Sequence, residues 1–204
     1  MKQLSNDTQR LTANVLKKII ASFLLTRDSN GVIGYEVMYG SSRRVADMVF
    51  ISKGYAYAIE IKSEFDKLSR LKVQLQEYQS LFDYIIIFSA PNHINSINAL
   101  LPNNIGLYCI RESDIRKVRR EKINHNVKKS EMLISIPSAI IKKDFSIKGK
   151  LTSDEIRAIA IKKSYKTIHR YFVDFFKTKL LFSSFHEETR DVASLQQPND
   201  YLII

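Results

Sequence analysis

Residues 57–66 read YAIEIKSEFD, and the middle of this stretch combines the pattern of a buried strand with two charged residues. Side chains alternate between the two faces of a strand, so Glu60 and Lys62 share one face and the flanking isoleucines lie on the other. A solvent-facing sheet surface is one explanation for the two charges. A metal ligand beside a catalytic base is the other explanation, and the rest of the chain is needed to choose between them.

The neighbouring sequence predicts that this stretch belongs to a three-strand meander. Runs of alternating or apolar composition predict strands at residues 32–39, 44–51 and 55–63. Lys53 and Gly54 suit a two-residue hairpin turn, because glycine tolerates positive φ. Counting back from this turn places Asp47 directly opposite Glu60. Like charges in that position are destabilising, and a divalent cation held by both carboxylates would explain the pair.

The rest of the chain predicts helices on both sides of further strands. Helical spacing of apolar residues and short apolar runs predict helices at 8–26, 67–82 and 93–101 and strands at 84–90, 106–110 and 132–137. Two more helices are expected within 153–183. The order of elements favours an α/β fold with a mixed sheet covered by helices. We expect a core over residues 1–112, a basic and mainly helical extension over 113–193, and a loose tail over 194–204.

The composition indicates a basic protein without a disulfide framework. The 204 residues contain 32 Lys and Arg against 21 Asp and Glu, a net charge of +11, which favours a polyanionic partner such as nucleic acid. Cys109 is the only cysteine, which rules out an intrachain disulfide and a multi-cysteine zinc site. The apolar runs are too short to span a bilayer, so we expect no membrane partner and a cytoplasmic location.

Several polar residues outside the Glu60 strand are further site candidates. Glu36, in the first strand, is expected on the face opposite Ile33, Tyr35, Val37 and Tyr39, where it would add a third acid. Gln74 and Tyr78 are one helical turn apart and face the same way. A further group of candidates could grip backbone phosphates: Arg43, Arg44 and Arg70.

Taken together, Asp47, the segment Glu60-Ile61-Lys62 and the pair Gln74-x-x-x-Tyr78 resemble the PD-(D/E)XK nuclease superfamily. The chain is similar to a group of small uncharacterised bacterial members that carry a Gln-x-x-x-Tyr motif. The resemblance covers about half of the chain, roughly residues 8–110. The residue before Asp47 is alanine, where the motif that names the superfamily has proline.

This resemblance implies a restriction-endonuclease-like core and a function. Asp47 and Glu60 would hold Mg²⁺, with Mn²⁺ as a substitute and the backbone carbonyl of Ile61 as a further ligand. Lys62 would orient or deprotonate the attacking water, and Glu36 would match an additional acid of the superfamily. The implied activity is hydrolysis of phosphodiester bonds, with DNA as the expected substrate.

Two alternatives stay open at this point. The fold could serve as a nucleic-acid-binding module without turnover, or as a protein-interaction module of a bacterial defence or mobile-element system. A protein partner or a homodimer is compatible with either. DNA or RNA as the substrate, and cleavage at chain ends or within the chain, also stay open.

Overall fold

Six strands and seven α-helices make up the part of the chain that this computed structural model describes, residues 13–41 and 43–195. The strands are β1 Val32–Tyr39, β2 Arg44–Ser52, β3 Tyr55–Lys62, β4 Tyr84–Ser89, β5 Gly106–Arg111 and β6 Asp114–Arg119. The helices are α1 Ala13–Arg27, α2 Leu71–Leu81, α3 Ile94–Leu100, α4 Lys129–Ile134, α5 Ser138–Asp144, α6 Ser153–Ala160 and α7 Tyr165–Leu195. A short 3₁₀ turn, Pro91–His93, precedes α3.

The strands form one sheet in the order β1-β2-β3-β4-β5-β6. β1, β2 and β3 are an antiparallel meander, β4 and β5 run parallel to β3, and β6 returns antiparallel to β5. Parallel neighbours need a crossover connection, which α2 supplies between β3 and β4 and α3 supplies between β4 and β5. The predicted α/β class, with a mixed sheet and helices, is confirmed.

The turn between β2 and β3 has the predicted register. Lys53 and Gly54 both have positive φ, 50° and 78°, as a tight hairpin turn of matching twist requires. Ser52 pairs with Tyr55, and the ladder continues to the pair Met48 and Ile59. The next position along this register would join Asp47 and Glu60.

The two faces of the sheet carry separate apolar layers. On one face, α1 packs Leu16, Ile20 and Leu24 against Met48, Phe50, Ile59 and Phe88. The other face is covered by α2 and the C-terminal helices, whose Phe172 and Phe176 are fully buried. Glu60 and Lys62 lie on this second face, since they alternate with Ile59 on β3. The candidate site therefore forms at the border of the larger core.

The expected strand at 132–137 is wrong, because α4 occupies residues 129–134. Met132, Leu133 and Ile136 are buried in the larger core, and their spacing matches one face of a helix rather than alternating faces of a strand. The Ser135 hydroxyl donates to the carbonyl of Glu131, which closes the last turn of this helix. A short apolar run does not distinguish a strand from a buried helical turn by composition alone.

The basic segment after residue 112 continues the same fold. β6 lies within it and pairs with β5, so the expected boundary between residues 112 and 113 falls between two strands of one sheet. Two helices follow from Ser153 as predicted, but the second runs on to Leu195, beyond the expected end at residue 183. The first begins with a capping box between Thr152 and Glu155. The larger core contains residues from both sides of the expected boundary.

Some expectations fall on residues that the structure does not describe. Residues 8–12 of the expected first helix and residues 196–204 of the expected loose tail lie outside the described ranges. Residues 194 and 195, the first two of that expected tail, belong to α7 instead. Within those ranges, none of the helices has both the length and the apolar composition needed to cross a bilayer.

Candidate active site

Asp47 lies where the ladder between β2 and β3 ends. Its Oδ2 atom accepts a hydrogen bond of 2.8 Å from the backbone N–H of Ile61. The carboxylate thus replaces the backbone acceptor that the next residue of a regular ladder would supply. The N–H and C=O groups of one strand residue point to the same edge, so the Ile61 carbonyl is also directed towards β2.

Glu60 is a buried carboxylate, only 2% exposed, with a donor on each oxygen atom. Lys62 Nζ donates to Oε1 at 2.7 Å, and the Tyr78 hydroxyl donates to Oε2 at 2.6 Å. Lys62 itself is 8% exposed. A buried charge is tolerated only when it is paired and hydrogen-bonded, which both partners provide here.

Helix α2 supplies the other side of the cluster. Gln74 and Tyr78 lie one turn apart on it, and Gln74 Oε1 is 3.4 Å from Lys62 Nζ. Tyr78 is fully buried among core residues while its hydroxyl reaches Glu60. Tyr78 therefore takes part both in core packing and in the cluster around Glu60.

The electrostatics of the cluster reflect two carboxylates in a partly dry environment. Burial and then the charge of Glu60 raise the pKa of Asp47 to about 6, although the Ile61 amide and Lys62 act in the opposite direction. Burial and Glu60 also raise the pKa of Tyr78 far above its ordinary value. The phenol therefore keeps its proton and acts as a donor to Glu60.

Glu36 does not join the two carboxylates. Its φ of 50° breaks the regular alternation of β1, so Val37 and Tyr39 lie in the larger core while Ile33 packs against the α1 layer. The expectation that Glu36 opposes all four neighbours on one strand face is wrong for this reason. Its exposed carboxylate accepts from Lys17 Nζ of α1 at 2.9 Å. Among the described residues, no three His, Cys, Asp or Glu side chains form a metal-binding group.

The three candidate phosphate-binding arginines lie in different settings. Arg44 forms an ion pair of 2.9 Å with Glu77, whereas Arg43 and Arg70 are exposed. Arg43 has a φ of 49° in the turn that leads into β2, and Arg70 immediately precedes α2. The two exposed guanidinium groups are available to an anionic ligand at this end of the sheet.

Two residues near the cluster escaped prediction from the sequence. Glu77 pairs with Arg44, and its position three residues after Gln74 places it on the same side of α2. Ser89 is fully buried and pairs in register with Lys62 across β3 and β4. The parallel register of β4 was the signal that would have located Ser89, and a single sequence does not supply it.

Comparison with known proteins identifies the family. A protein-family model described as "Bacteriophage P4 protein cII" matches residues 2–197. The chain belongs to the bacteriophage P4 protein cII family. The protein called "Protein cII" from Enterobacteria phage P4 is 33% identical over 79 residues, which is 39% of this chain and 30% of that protein. The aligned part of this cII-family chain thus spans less than a third of that relative.

A solved structure gives a more distant likeness. A protein of unknown function from Silicibacter pomeroyi is 19% identical, and the match covers 62% of this chain and 88% of that one with a TM-score of 0.39. A TM-score of this size is too low to assign a shared fold.

Proposed function

We propose that this protein is a Mg²⁺-dependent nuclease with a restriction-endonuclease-like core, which hydrolyses phosphodiester bonds in DNA. The observation that carries the proposal is the grouping of Asp47, Glu60 and Lys62 at the end of the β2–β3 hairpin. An acid beside a second acid and a lysine, at the rim of a core, is a costly arrangement that packing alone does not require.

The donor set fits a hard divalent cation. Mg²⁺ is usually held by one or two carboxylates, together with water and phosphate oxygens, so a third acid is not needed. Asp47 and Glu60 would hold it, with the Ile61 carbonyl as a further oxygen ligand. Burial and the charge of Glu60 raise the pKa of Asp47, and a cation held by both carboxylates would offset their mutual repulsion. When bound, Mg²⁺ would polarise the scissile phosphate and lower the pKa of a bound water.

The remaining roles fall to side chains of this chain. Lys62 Nζ, which donates to Glu60 in this structure, would orient the attacking water, or accept its proton as the neutral amine, with the cation held by Asp47 and Glu60. Gln74 lies beside the same Nζ and holds it in place. The Tyr78 hydroxyl fixes the second oxygen of Glu60. Arg43 and Arg70 would contact neighbouring backbone phosphates.

One observation favours a second candidate, a nucleic-acid-binding or protein-interaction module without turnover. Both oxygen atoms of Glu60 already have donors, so the cluster is satisfied without a metal. Membership of a family named after a phage protein agrees with a role on a mobile element. Such a module would bind DNA equally with and without Mg²⁺, and Lys62 would serve only to neutralise Glu60.

A cleavage assay separates the two candidates. Supercoiled, linear and single-stranded DNA would be incubated with Mg²⁺, Mn²⁺ or EDTA, and the wild type compared with Asp47→Asn and Glu60→Gln. Both variants keep the shape of the side chain and remove its charge. The nuclease proposal expects metal-dependent cutting by the wild type and none by either variant. Absence of cutting by a folded wild-type protein on every substrate would favour the module.

Metal binding gives a second readout that does not depend on turnover. Calorimetric titration with Mg²⁺ or Mn²⁺ should show one site in the wild type, which Asp47→Asn weakens at least tenfold. Asp66→Asn is a suitable control, because Asp66 is an exposed carboxylate that caps the Ser63 turn and lies outside the cluster. Equal titration curves for all three proteins would argue against a metal site at Asp47.

A further inference from the structure

A second buried glutamate lies on the opposite face of the sheet, next to the end of α1. Glu121 is 6% exposed and accepts hydrogen bonds from the guanidinium group of Arg27 and, at 2.9 Å, from the Tyr108 hydroxyl. Burial acts to raise the pKa of Glu121, but its hydrogen bonds with Arg27, a backbone amide and Tyr108, together with the charge of Arg27, outweigh burial, so the pKa lies below its ordinary value. Gly106 permits this placement, since a Cβ atom there would lie 2.9 Å from the Cβ of Glu121.

A cavity of about 340 Å³ opens beside this glutamate. Its size is within the range of small-ligand sites. Two aromatic residues and one isoleucine form its apolar walls, and three cations complete the lining: Phe23, Tyr108, Ile115, Arg27, Lys117 and Arg120. None of these lining residues is a carboxylate, although Glu121 lies behind two of them and accepts from Arg27 and Tyr108. The wall therefore carries an excess of positive charge.

Arg27 lies between the buried glutamate and the cavity. Its Nη2 atom is engaged by Glu121, and its Nη1 atom is buried without a hydrogen-bond partner among the described residues. Because Nη1 is closed to solvent, it is not itself a binding group for a ligand in the cavity. Arg27 is one of the three lining cations, so its charge still acts on such a ligand together with the charges of Lys117 and Arg120.

The surrounding surface favours a polymeric anion over a small one. A further exposed cation, Lys122, follows two residues after Arg120, which lines the cavity. A single small anion would occupy the cavity alone and leave this charge unused. A nucleic-acid strand carries a charge at every step, so one phosphate can enter while a neighbouring phosphate meets Lys122.

The cavity is distinct from the candidate active site. Lys17, which contacts Glu36 and whose charge acts on Asp47, lies ten residues before Arg27 on α1. At the rise of an α-helix these positions are about 15 Å apart. We propose that the cavity binds a backbone phosphate of a nucleic-acid strand, and so anchors the strand at a second point away from Asp47 and Glu60. This inference rests on the proposed function for its choice of nucleic acid.

Charge reversal at the cavity mouth tests the anchor. The cavity variant combines Lys117→Glu with Arg120→Glu. The control variant combines Lys148→Glu with Lys150→Glu, which gives the same change of net charge at two exposed lysines elsewhere. Binding would be followed by fluorescence anisotropy in EDTA, with a labelled DNA strand of about 12 nucleotides. We expect at least tenfold weaker binding by the cavity variant, a salt dependence reduced by about two phosphate contacts, and at most a threefold change in the control.

Two controls show whether the variants are folded and whether the cavity prefers a small anion to a nucleic-acid strand. Circular dichroism should show the same folded spectrum for both variants, and Lys117→Gln with Arg120→Gln repeats the test with a milder change. Pyrophosphate serves as the small-anion probe in calorimetry. Equal weakening of DNA binding by the cavity and control variants would overturn the proposal. So would loss of pyrophosphate binding in the cavity variant with DNA binding unchanged, because the cavity would then take a small anion only.

Separate measurements test the phosphate anchor and the nuclease activity. Binding is measured without metal and cleavage with Mg²⁺. A wild-type protein that cleaves DNA, with unchanged DNA affinity in the cavity variant, would overturn the anchor and leave the nuclease proposal standing. A wild-type protein that does not cleave, but binds DNA through the cavity, would support the anchor and remove the nuclease proposal.

Discussion

Two buried glutamates, one on each face of the sheet, have the same kinds of partner and opposite surroundings. Glu60 accepts from Lys62 and the Tyr78 hydroxyl, and Glu121 accepts from Arg27 and the Tyr108 hydroxyl. Beside Glu60 stands a second carboxylate, Asp47, whose pKa is raised to about 6. Beside Glu121 stand further cations that line a cavity. The same buried motif therefore favours a cation at one site and an anion at the other.

A buried ion pair alone does not indicate which ligand a site would bind, because the charges of the neighbouring side chains must also be considered. Each pair is close to neutral and needs no ligand by itself. The surplus charge next to the pair decides which ligand would be attracted. Substitutions that remove a catalytic side chain, one partner of an ion pair or a single hydrogen bond should therefore have successively smaller effects on cleavage and stability.

The largest effect is expected on catalysis at the Glu60 site. Lys62→Met should lower the rate of DNA cleavage by about 10²- to 10⁴-fold, the usual contribution of a general base, because the Nζ atom is lost. Single-turnover cleavage with Mg²⁺ measures the effect. Lys72→Met, at an exposed lysine of α2, is the matched control and should retain activity. A Lys62 variant with wild-type cleavage would exclude the lysine from the chemistry.

The next largest effect is a difference in stability between the variants of the two glutamates. Glu121→Ala leaves Arg27 without a counter-charge and should lower the free energy of unfolding by about 3 kcal/mol. Glu60→Ala should cost less, about 1–2 kcal/mol, because Asp47 remains to neutralise Lys62 and loses a repulsive neighbour. Urea denaturation measures both. A larger loss of unfolding free energy for Glu60→Ala than for Glu121→Ala would contradict this prediction, because it would show that Asp47 does not neutralise Lys62 in place of Glu60.

Removal of one tyrosine hydroxyl group at each site tests whether the two glutamates are stabilised to the same extent. Tyr78→Phe and Tyr108→Phe each remove a donor to a carboxylate and preserve the ring packing. Each should lower the free energy of unfolding by about 1.5 kcal/mol, the value typical of hydrogen bonds to charged groups. The two losses should agree closely if the motifs are equivalent. A neutral result at either tyrosine would indicate that water replaces the phenol there.

The smallest effect concerns a third buried carboxylate, Asp83, whose partner titrates. Asp83 accepts from the Ala56 amide and is 2.8 Å from the His169 ring nitrogen of α7. The hydrogen bond to Asp83 raises the pKa of His169 above its ordinary value of about 6.5. The stabilisation is therefore fully present below about pH 6.5 and is lost as the pH rises through the raised pKa.

His169→Gln should flatten this pH dependence. The wild type should lose at most about 1 kcal/mol more than the variant between pH 6 and pH 8 in urea denaturation, because the imidazole is only half buried. His125→Gln, at an exposed histidine, should keep the wild-type slope. Parallel pH profiles for the wild type and His169→Gln would show that the pair contributes nothing measurable.

The sequence predicted the centre of the site better than its surroundings. The turn residues Lys53 and Gly54 and the alternation of β2 and β3 were enough to place Asp47 against Glu60. Such local signals depend only on neighbouring residues. Glu36 was misplaced because its positive φ interrupts an alternation that its residue type does not announce. Its partner, Lys17, lies on a different element.

The other errors share a physical origin in long-range packing. Residues 132–134 belong to helix α4 because Met132 and Leu133 contact the core from one side, which a short apolar run does not reveal. β6 was hidden within a basic run, since its cations are exposed and only pairing with β5 orders it. Glu121 could not be singled out for the same reason. Its partners Arg27 and Tyr108 come from distant parts of the chain.

The irregular outer strands also bear on how copies of this chain behave at high concentration. β1 and β6 are the two edges of the sheet among the described strands. β1 carries the break at Glu36, while β6 has a register shift against β5 and exposed cations at Arg116 and Lys117. A flat, uncharged edge is a template for strand addition and fibril growth. Both edges of this sheet are poor templates, so its aggregation through edge-to-edge pairing should be disfavoured.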